Sequence, residues 1–367
     1  MNPYTPSKLP LSDLDYKLLL PLIGQANASL ARYDGLLQGV PNPAVMLSPL
    51  TTQEAVLSSK IEGTQATVDE VLEQEAGLIK DEAKQQDIKE IVNYRTALFR
   101  SREYLQQYPI RLSFVQELHS ILMDSVRGQD KTPGEFRKDQ NWIGRYGCTI
   151  DTASFVPPNP IQLLDHLQEW EKYLDSDDID SLLQTAVIHA QFELLHPFKD
   201  GNGCIGRILI PLFLYQKKVI SQPMFYLSEY LENNREEYYQ RLKAISEAND
   251  WNNWIAFFLR AITTQAQQNS RRVKDIQNLY DSMKQKIQNI THSQYTVNLL
   301  DALFSSPIFD TTALVQKTGI QKATAMRLLR KLKENKIIME LRPSSGRRLA
   351  ILSFPELINI TEGKKVL

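Results

Sequence analysis

The chain has 367 residues, 42% of them hydrophobic and 23% charged, with a net charge of −1. That length predicts two or three domains of about 150 residues, with ample material for a core, and near-neutrality excludes a bulk attraction to nucleic acid or anionic lipid. Two cysteines, Cys148 and Cys204, exclude a disulfide framework and a cysteine metal site, while the lack of any apolar run near ~20 residues and of a basic-then-apolar start predicts a cytoplasmic protein without membrane contact.

Pro3, Pro6 and Pro10 keep the first residues extended. A helix is predicted next, capped by Ser12 or Asp13, with Leu18, Leu19, Leu20 and Leu22 to bury, until Pro41 and Pro43 interrupt it. Helical spacing resumes at Thr51. Thr52 is the expected cap, Ala55, Val56 and Ile61 make an apolar stripe, and Gly63 stops a short helix around 52–63. Residues 65–126 alternate charged and apolar positions at helical spacing (Ile88, Ile91, Val92, Tyr94, Leu98). His119, among Val115, Leu118 and Leu122, reads as a core or supporting histidine rather than a ligand. Between 133 and 160 the pattern changes. Gly134, Gly144 and Gly147 punctuate segments 141–143 and 154–156, and Pro157, Pro158 and Pro160 close a loose β-hairpin.

The stretch 196–207 lies between apolar runs at 182–195 and 208–215, so it reads as a turn joining two buried helices. Gly201, Gly203 and Gly206 suit a backbone that bends sharply and approaches a ligand. Successive amides opening into a helix N-terminus make an anion site, and His196, Asp200, Asn202 and Arg207 surround it. A plainer reading, in which His196 and Arg207 only finish helix ends, leaves Asp200 and the glycines unexplained. Pro211 predicts a kink in the following helix. Amphipathic helices are expected at 229–248 and 250–266, the second with Trp251, Trp254, Phe257 and Phe258 at core spacing, and then a polar connector helix within 269–292.

The tail, 293–367, has 12 Lys+Arg against 6 Asp+Glu, a net +6, which leaves −7 on the remainder and points to a separate module. It reads as helices at 297–304, 311–318 and 322–335, with a turn at Gly319, then strands at 337–341 and 349–352 around Ser344, Ser345 and Gly346. Arg327, Arg330, Lys331 and Lys333 on the third helix, with Arg347 and Arg348 on the hairpin, have the charge expected of a nucleic-acid binder. A helix-turn-helix used for protein contact or dimerisation fits equally well.

The stretch 196–207 resembles the signature of the Fic family, HxFx(D/E)GNGRxxR. It matches at His196, Phe198, Asp200, Gly201, Asn202, Gly203 and Arg207, and departs at Cys204, where arginine is usual. Ser58 and Glu62, followed by Gly63, resemble the family's inhibitory motif (S/T)xxxE(G/N); residues 133–158 resemble its flap, and the tail resembles a winged helix. The resemblance implies a mostly α fold: an N-terminal segment 1–100, a Fic core 101–268 with a β-hairpin flap 137–158, a connector 269–292 and a winged-helix domain 293–367. It further implies a protein adenylyltransferase that moves AMP from ATP to a hydroxyl side chain of a protein. His196 would be the base, Asp200 the Mg²⁺ ligand, and Gly201, Asn202, Gly203, Cys204, Gly206 and Arg207 the nucleotide site. Asn202 is expected to donate to an α-phosphate oxygen. Asn141, Trp142, Ile143 and Gly144 would hold the target segment, and Glu62, supported by Ser58, would block the γ-phosphate place at Arg207. Removal of AMP, transfer of another nucleotide, and a DNA-binding regulator with a residual site remain alternatives; Cys204 favours the last. Expected partners are a hydroxyl-bearing protein, the chain itself included, with a second copy and DNA as further candidates.

Overall fold

Helical periodicity dominates the sequence, and a computed structural model, which describes residues 2–75, 82–124, 131–145, 147–344 and 349–366, is mostly α. Two units can be described. One comprises the residues up to Asp34, Leu57–Thr64 and Val92–Gln267; the other comprises Gly35–Val56, Gln65–Ile91 and the chain from Gln268 onward.

The first unit is built on helices Ser181–Leu195 and Asn202–Gln216. Both are apolar on nearly every face, as a central core helix must be, and almost every residue in them is buried. Asp180 starts the first by accepting the Leu182 and Leu183 N–H groups at 2.8 and 3.2 Å. Buried Trp170 and Trp254 donate their indole N–H groups to its carbonyls at Ile188 (3.0 Å) and Ala186 (2.9 Å), so each large ring is buried without an orphaned donor. Helices Leu112–Leu122, Pro160–Asp175 and Arg235–Ala248 pack around this pair.

Several local expectations are corrected. The first helix is Tyr16–Gln38, and Asp15 rather than Ser12 or Asp13 accepts its Leu18 N–H. Leu19 is buried while Leu18 and Leu20 are exposed, because neighbours on a helix point about 100° apart. The helix bearing Ser58 starts at Ser48, and Thr52 lies inside it, donating to the Ser48 carbonyl at 3.3 Å. The stretch 229–248 divides into Ser228–Asn233 and Arg235–Ala248, whereas the aromatic helix and the connector are one helix, Trp251–Thr291. No glycine or proline interrupts residues 251–291, so the change from apolar to polar did not mark a break. Among the described residues the flap hairpin has one bridge, Ile143 with Phe155, with a 3₁₀ turn, Ile150–Thr152, between its arms.

In the second unit, helices Thr296–Ser305, Thr311–Thr318 and Lys322–Glu334 accompany a three-stranded antiparallel sheet. Its strands are β1 (Ile308–Asp310), β2 (Met339–Arg342) and β3 (Ile351–Ser353), in the order β1-β3-β2. β3 is central and fully buried, with Ser353 opposite both Ile308 and Met339. The two later strands lie close to their expected places; β1, too short to show alternation, has no sequence signal. Ser345, Gly346, Arg347 and Arg348 lie outside the described residues. Among the described residues no helix is long and apolar enough to cross a membrane.

Candidate functional site

The loop between the two central helices is shaped by contacts within itself and by struts from two neighbouring segments. His196 ends the first central helix with φ +48°, a left-handed conformation that a non-glycine residue keeps only when its surroundings impose it. Two residues on, Phe198 is wholly buried and stacks on His119 with ring centroids 3.8 Å apart. Asn202 closes the turn. Its Oδ1 accepts the Phe198 N–H at 2.8 Å, and its Nδ2 donates to the Phe198 carbonyl at 2.9 Å. The amide oxygen of Asn202 and one of its two Nδ2 hydrogens are thus committed to the loop backbone. Gly201, at φ +73°, leaves room for Met123 and Leu122, which a β-carbon would meet at 3.1 and 3.2 Å.

His119 is the first strut. Its Nδ1 accepts the Gly134 N–H at 2.9 Å, so Nε2 carries the proton and donates to the Asp200 carbonyl, 3.1 Å away. Burial lowers its pKa to about 4, which suits a neutral ring. Arg137 is the second strut, buried beneath the flap and donating to the carbonyls of His196, Asp139, Pro158 and Leu195. Burial also lowers the His196 pKa to about 4, so its imidazole is neutral at physiological pH. Its Nδ1 is a buried atom without a hydrogen-bond partner among the described residues.

Arg207 points into the space beside Gly203. Its Nε donates to Ser58 Oγ at 2.8 Å, and Nη2 donates to the Ser58 carbonyl at 3.0 Å and to Glu62 Oε1 at 2.6 Å. Glu62 lies so close to the loop that a β-carbon on Gly203 would collide with its carboxylate. A β-carbon on Gly206 would similarly meet Glu193, whose carboxyl is pushed up to about 8 by burial against the pull of Arg207. Cys204 is buried, with Sγ 3.7 Å from Arg207 Nη2 and 3.9 Å from Ser58 Oγ. Its thiol is pushed up to about 12, chiefly by burial, and stays neutral. Asp200 is exposed and accepts the Gly201 N–H at 2.8 Å.

The structure thus brings His196, Gly201, Gly203, Cys204, Gly206 and Arg207 together with Ser58 and Glu62. The flap is near the loop through Asn141, whose Nδ2 donates to the Phe198 carbonyl at 3.3 Å. Trp142 and Ile143 are exposed, and Gly144 lets the backbone pass close to Cys148 Sγ. Sequence reasoning missed three residues. Arg137 was given no role of its own within the flap stretch; Glu193 and His189 lay in an apolar run, where a buried polar side chain is itself the signal. His189 bridges the Gly206 carbonyl and the Tyr238 hydroxyl, each at 3.0 Å.

Residues 20–103 match the Fic/DOC family N-terminal model and residues 109–214 the Fic/DOC family model, together just over half of the chain. The chain belongs to the Fic/DOC family. This Fic chain is 27% identical over 204 residues to a probable protein adenylyltransferase of Aquifex aeolicus, covering 55% of the chain and 57% of that protein. It is 29% identical over 149 residues to the protein adenylyltransferase Fic of Drosophila erecta, covering 39% of the chain and 26% of that protein. It therefore spans little more than half of the first relative and about a quarter of the second. Its fold matches a Fic family protein from Desulfovibrio desulfuricans G20, with TM-score 0.56 and 18% identity over 96% of this chain and 98% of the other. Fic-1 from C. elegans gives TM-score 0.53 at 19% identity, over 71% and 73% of the two chains.

Proposed function

We propose that this Fic chain is a protein adenylyltransferase held in check by Glu62. The observation that carries the reading is a neutral His196 beside a glycine turn at a helix N-terminus, with Arg207 fixed in the same space. A target hydroxyl would give its proton to the imidazole as its oxygen bonds to the α-phosphorus of ATP. The bond to the outer phosphates then breaks and pyrophosphate leaves. A low pKa makes His196 a weak base but leaves it unprotonated and ready at every physiological pH. Arg207 would offer a fork of donors to the γ-phosphate, and the Gly201–Gly203 backbone would supply amide donors to the α- and β-phosphate oxygens.

Asp200 fits a Mg²⁺ role, since one exposed carboxylate is what an ion held largely by phosphates and water requires. Among the described residues no cluster of three metal-type side chains exists, so the ion would come bound to the nucleotide. It would supply charge neutralisation on the phosphates.

Glu62 occupies both the Arg207 fork and the surface of Gly203, so its place and that of a phosphate overlap. The test is incubation with α-labelled ATP. Glu62→Gly should label protein, the chain itself included, and adding His196→Ala should reduce labelling ~10²–10⁴-fold. Equal labelling with and without His196 sinks the mechanism.

A second reading concerns the tail. Helix Lys322–Glu334 exposes Lys322, Arg327 and Arg330, which supports contact with duplex DNA. Arg330 and Lys333 are partly spent on Glu334 and Glu340. Binding of the full chain to duplex should fall as salt rises through counterion release; no binding even at low salt makes the tail a protein-contact module.

A further inference from the structure

Arg137 is a buried cation without a carboxylate within ion-pair distance among the described residues. Its side chain is satisfied by four backbone carbonyls instead. Nε donates to His196 (2.9 Å), Nη1 to Asp139 (3.3 Å), and Nη2 to Pro158 (2.6 Å) and Leu195 (3.4 Å). Its own N–H donates to the Pro197 carbonyl at 2.8 Å. Two of the side-chain acceptors belong to the flap, one at each end, and two belong to His196 and to Leu195, the last residue of the helix before the loop. Burying a guanidinium in this way is costly, and burial lowers its pKa to about 10. A neutral side chain would have filled the same space more cheaply, so the fork of donors is the reason for an arginine here.

We infer that Arg137 is the positioning residue that locks both ends of the flap to the backbone of His196, and so sets where a target hydroxyl meets the imidazole. The inference rests on the adenylyl-transfer reading above. Two weaker braces run parallel to it, Asn141 to the Phe198 carbonyl at 3.3 Å and Lys199 to Asp139 at 3.6 Å. Neither reaches both flap ends. Arg137 also acts electrostatically. The charged groups facing the His196 imidazole are Glu62, which favours its protonated form, and Arg137, which opposes it. The Arg137 charge thus helps keep the base in its proton-accepting form.

The experiment uses the full chain in the Glu62→Gly background, with Arg137→Met and Arg137→Lys added separately. Three quantities are read: ATP affinity by calorimetry, the kcat of AMP transfer, and the titration of His196 by NMR. Arg137→Met should leave ATP affinity unchanged and lower kcat about 10–100-fold, the scale of an ångström of misplacement. The His196 titration should also move to higher pH. Arg137→Lys keeps the charge but loses the fork, so kcat should fall with the titration close to the parent's. Parental kcat and parental titration in Arg137→Met overturn the inference. If Arg137→Met does not fold, Arg137→Lys decides by kcat alone, and a parental value overturns the inference. If the Glu62→Gly parent transfers nothing, the adenylyl-transfer reading fails by itself. The His196 titration in Arg137→Met then still decides the positioning role, an unmoved midpoint overturning it.

Discussion

Arg207 and Glu62 share a 2.6 Å ion pair but not an environment: the arginine side chain is 1% exposed and the glutamate 41%. The arginine is the fixed member, since Ser58 holds it through both Oγ and the backbone carbonyl whether or not Glu62 is present. The glutamate is the member that can leave, because water is available to receive it. A charge-assisted bond contributes roughly 1.5–3 kcal/mol, and exposure puts this one near the lower end. Removing Glu62 should therefore raise transfer about 10-fold. Cys204 is the complementary case. A neutral thiol beside Arg207 adds no charge for phosphate, so Cys204→Arg in the Glu62→Gly background should raise transfer about 10-fold at low ATP. Rates at several ATP concentrations check it. An unchanged rate at low ATP means that Arg207 and the glycine amides already suffice.

At the scale of elements, the loop between the two central helices depends on Asn202. Both ends of its amide bond the Phe198 backbone inside the core, so Asn202→Ala leaves a buried N–H and a buried carbonyl without those partners. A cost of about 2–3 kcal/mol is expected, seen as a lower Tm, with transfer reduced because His196 is held by the same turn. A variant with parental Tm would show that the turn stands without its clamp. The helices that carry the site were legible because long apolar runs leave few alternatives. The flap was legible only in the place of its arms, 141–143 and 154–156. Among the described residues they meet at one bridge, Ile143 with Phe155, and are held by side chains such as Gln140, which donates to the Asn141 and Pro157 carbonyls at 3.0 Å each. Alternation cannot report such braces.

Across the whole molecule, buried titratable groups set the pH range of stability. His119 and His189 have pKa values lowered by burial to about 4 and about 3, against about 6.5 when unfolded. Between those values the unfolded chain binds more protons, so stability is full above about pH 6.5 and is lost as pH falls toward 4. Glu193 acts in the opposite direction. Raised by burial to about 8 from its ordinary 4.5, it binds a proton in the folded state that the unfolded state releases, so stability is lost as pH rises toward 8. Thermal unfolding between pH 4 and 8 should thus peak near pH 6.5. Glu193→Gln should flatten the alkaline side and His189→Gln the acid side. A parental profile in both variants would show that these groups do not titrate differently on unfolding.

The sequence by itself determined the mostly helical class and the turn between two core helices, and it set His196, Asp200 and Arg207 close together there, because those features are local: periodicity, glycine spacing and side-chain chemistry within a dozen residues. Only the tertiary structure decided what the site residues touch. Glu62 stands 145 residues from Arg207 in the chain, and Arg137 is 59 residues from the His196 carbonyl it holds. Asn202, by composition a free donor, was committed to Phe198 by the close return of the loop. Burial and pairing are properties of the packed chain, so a cation such as Arg137 gains its meaning only once four carbonyls from separate segments have been brought around it.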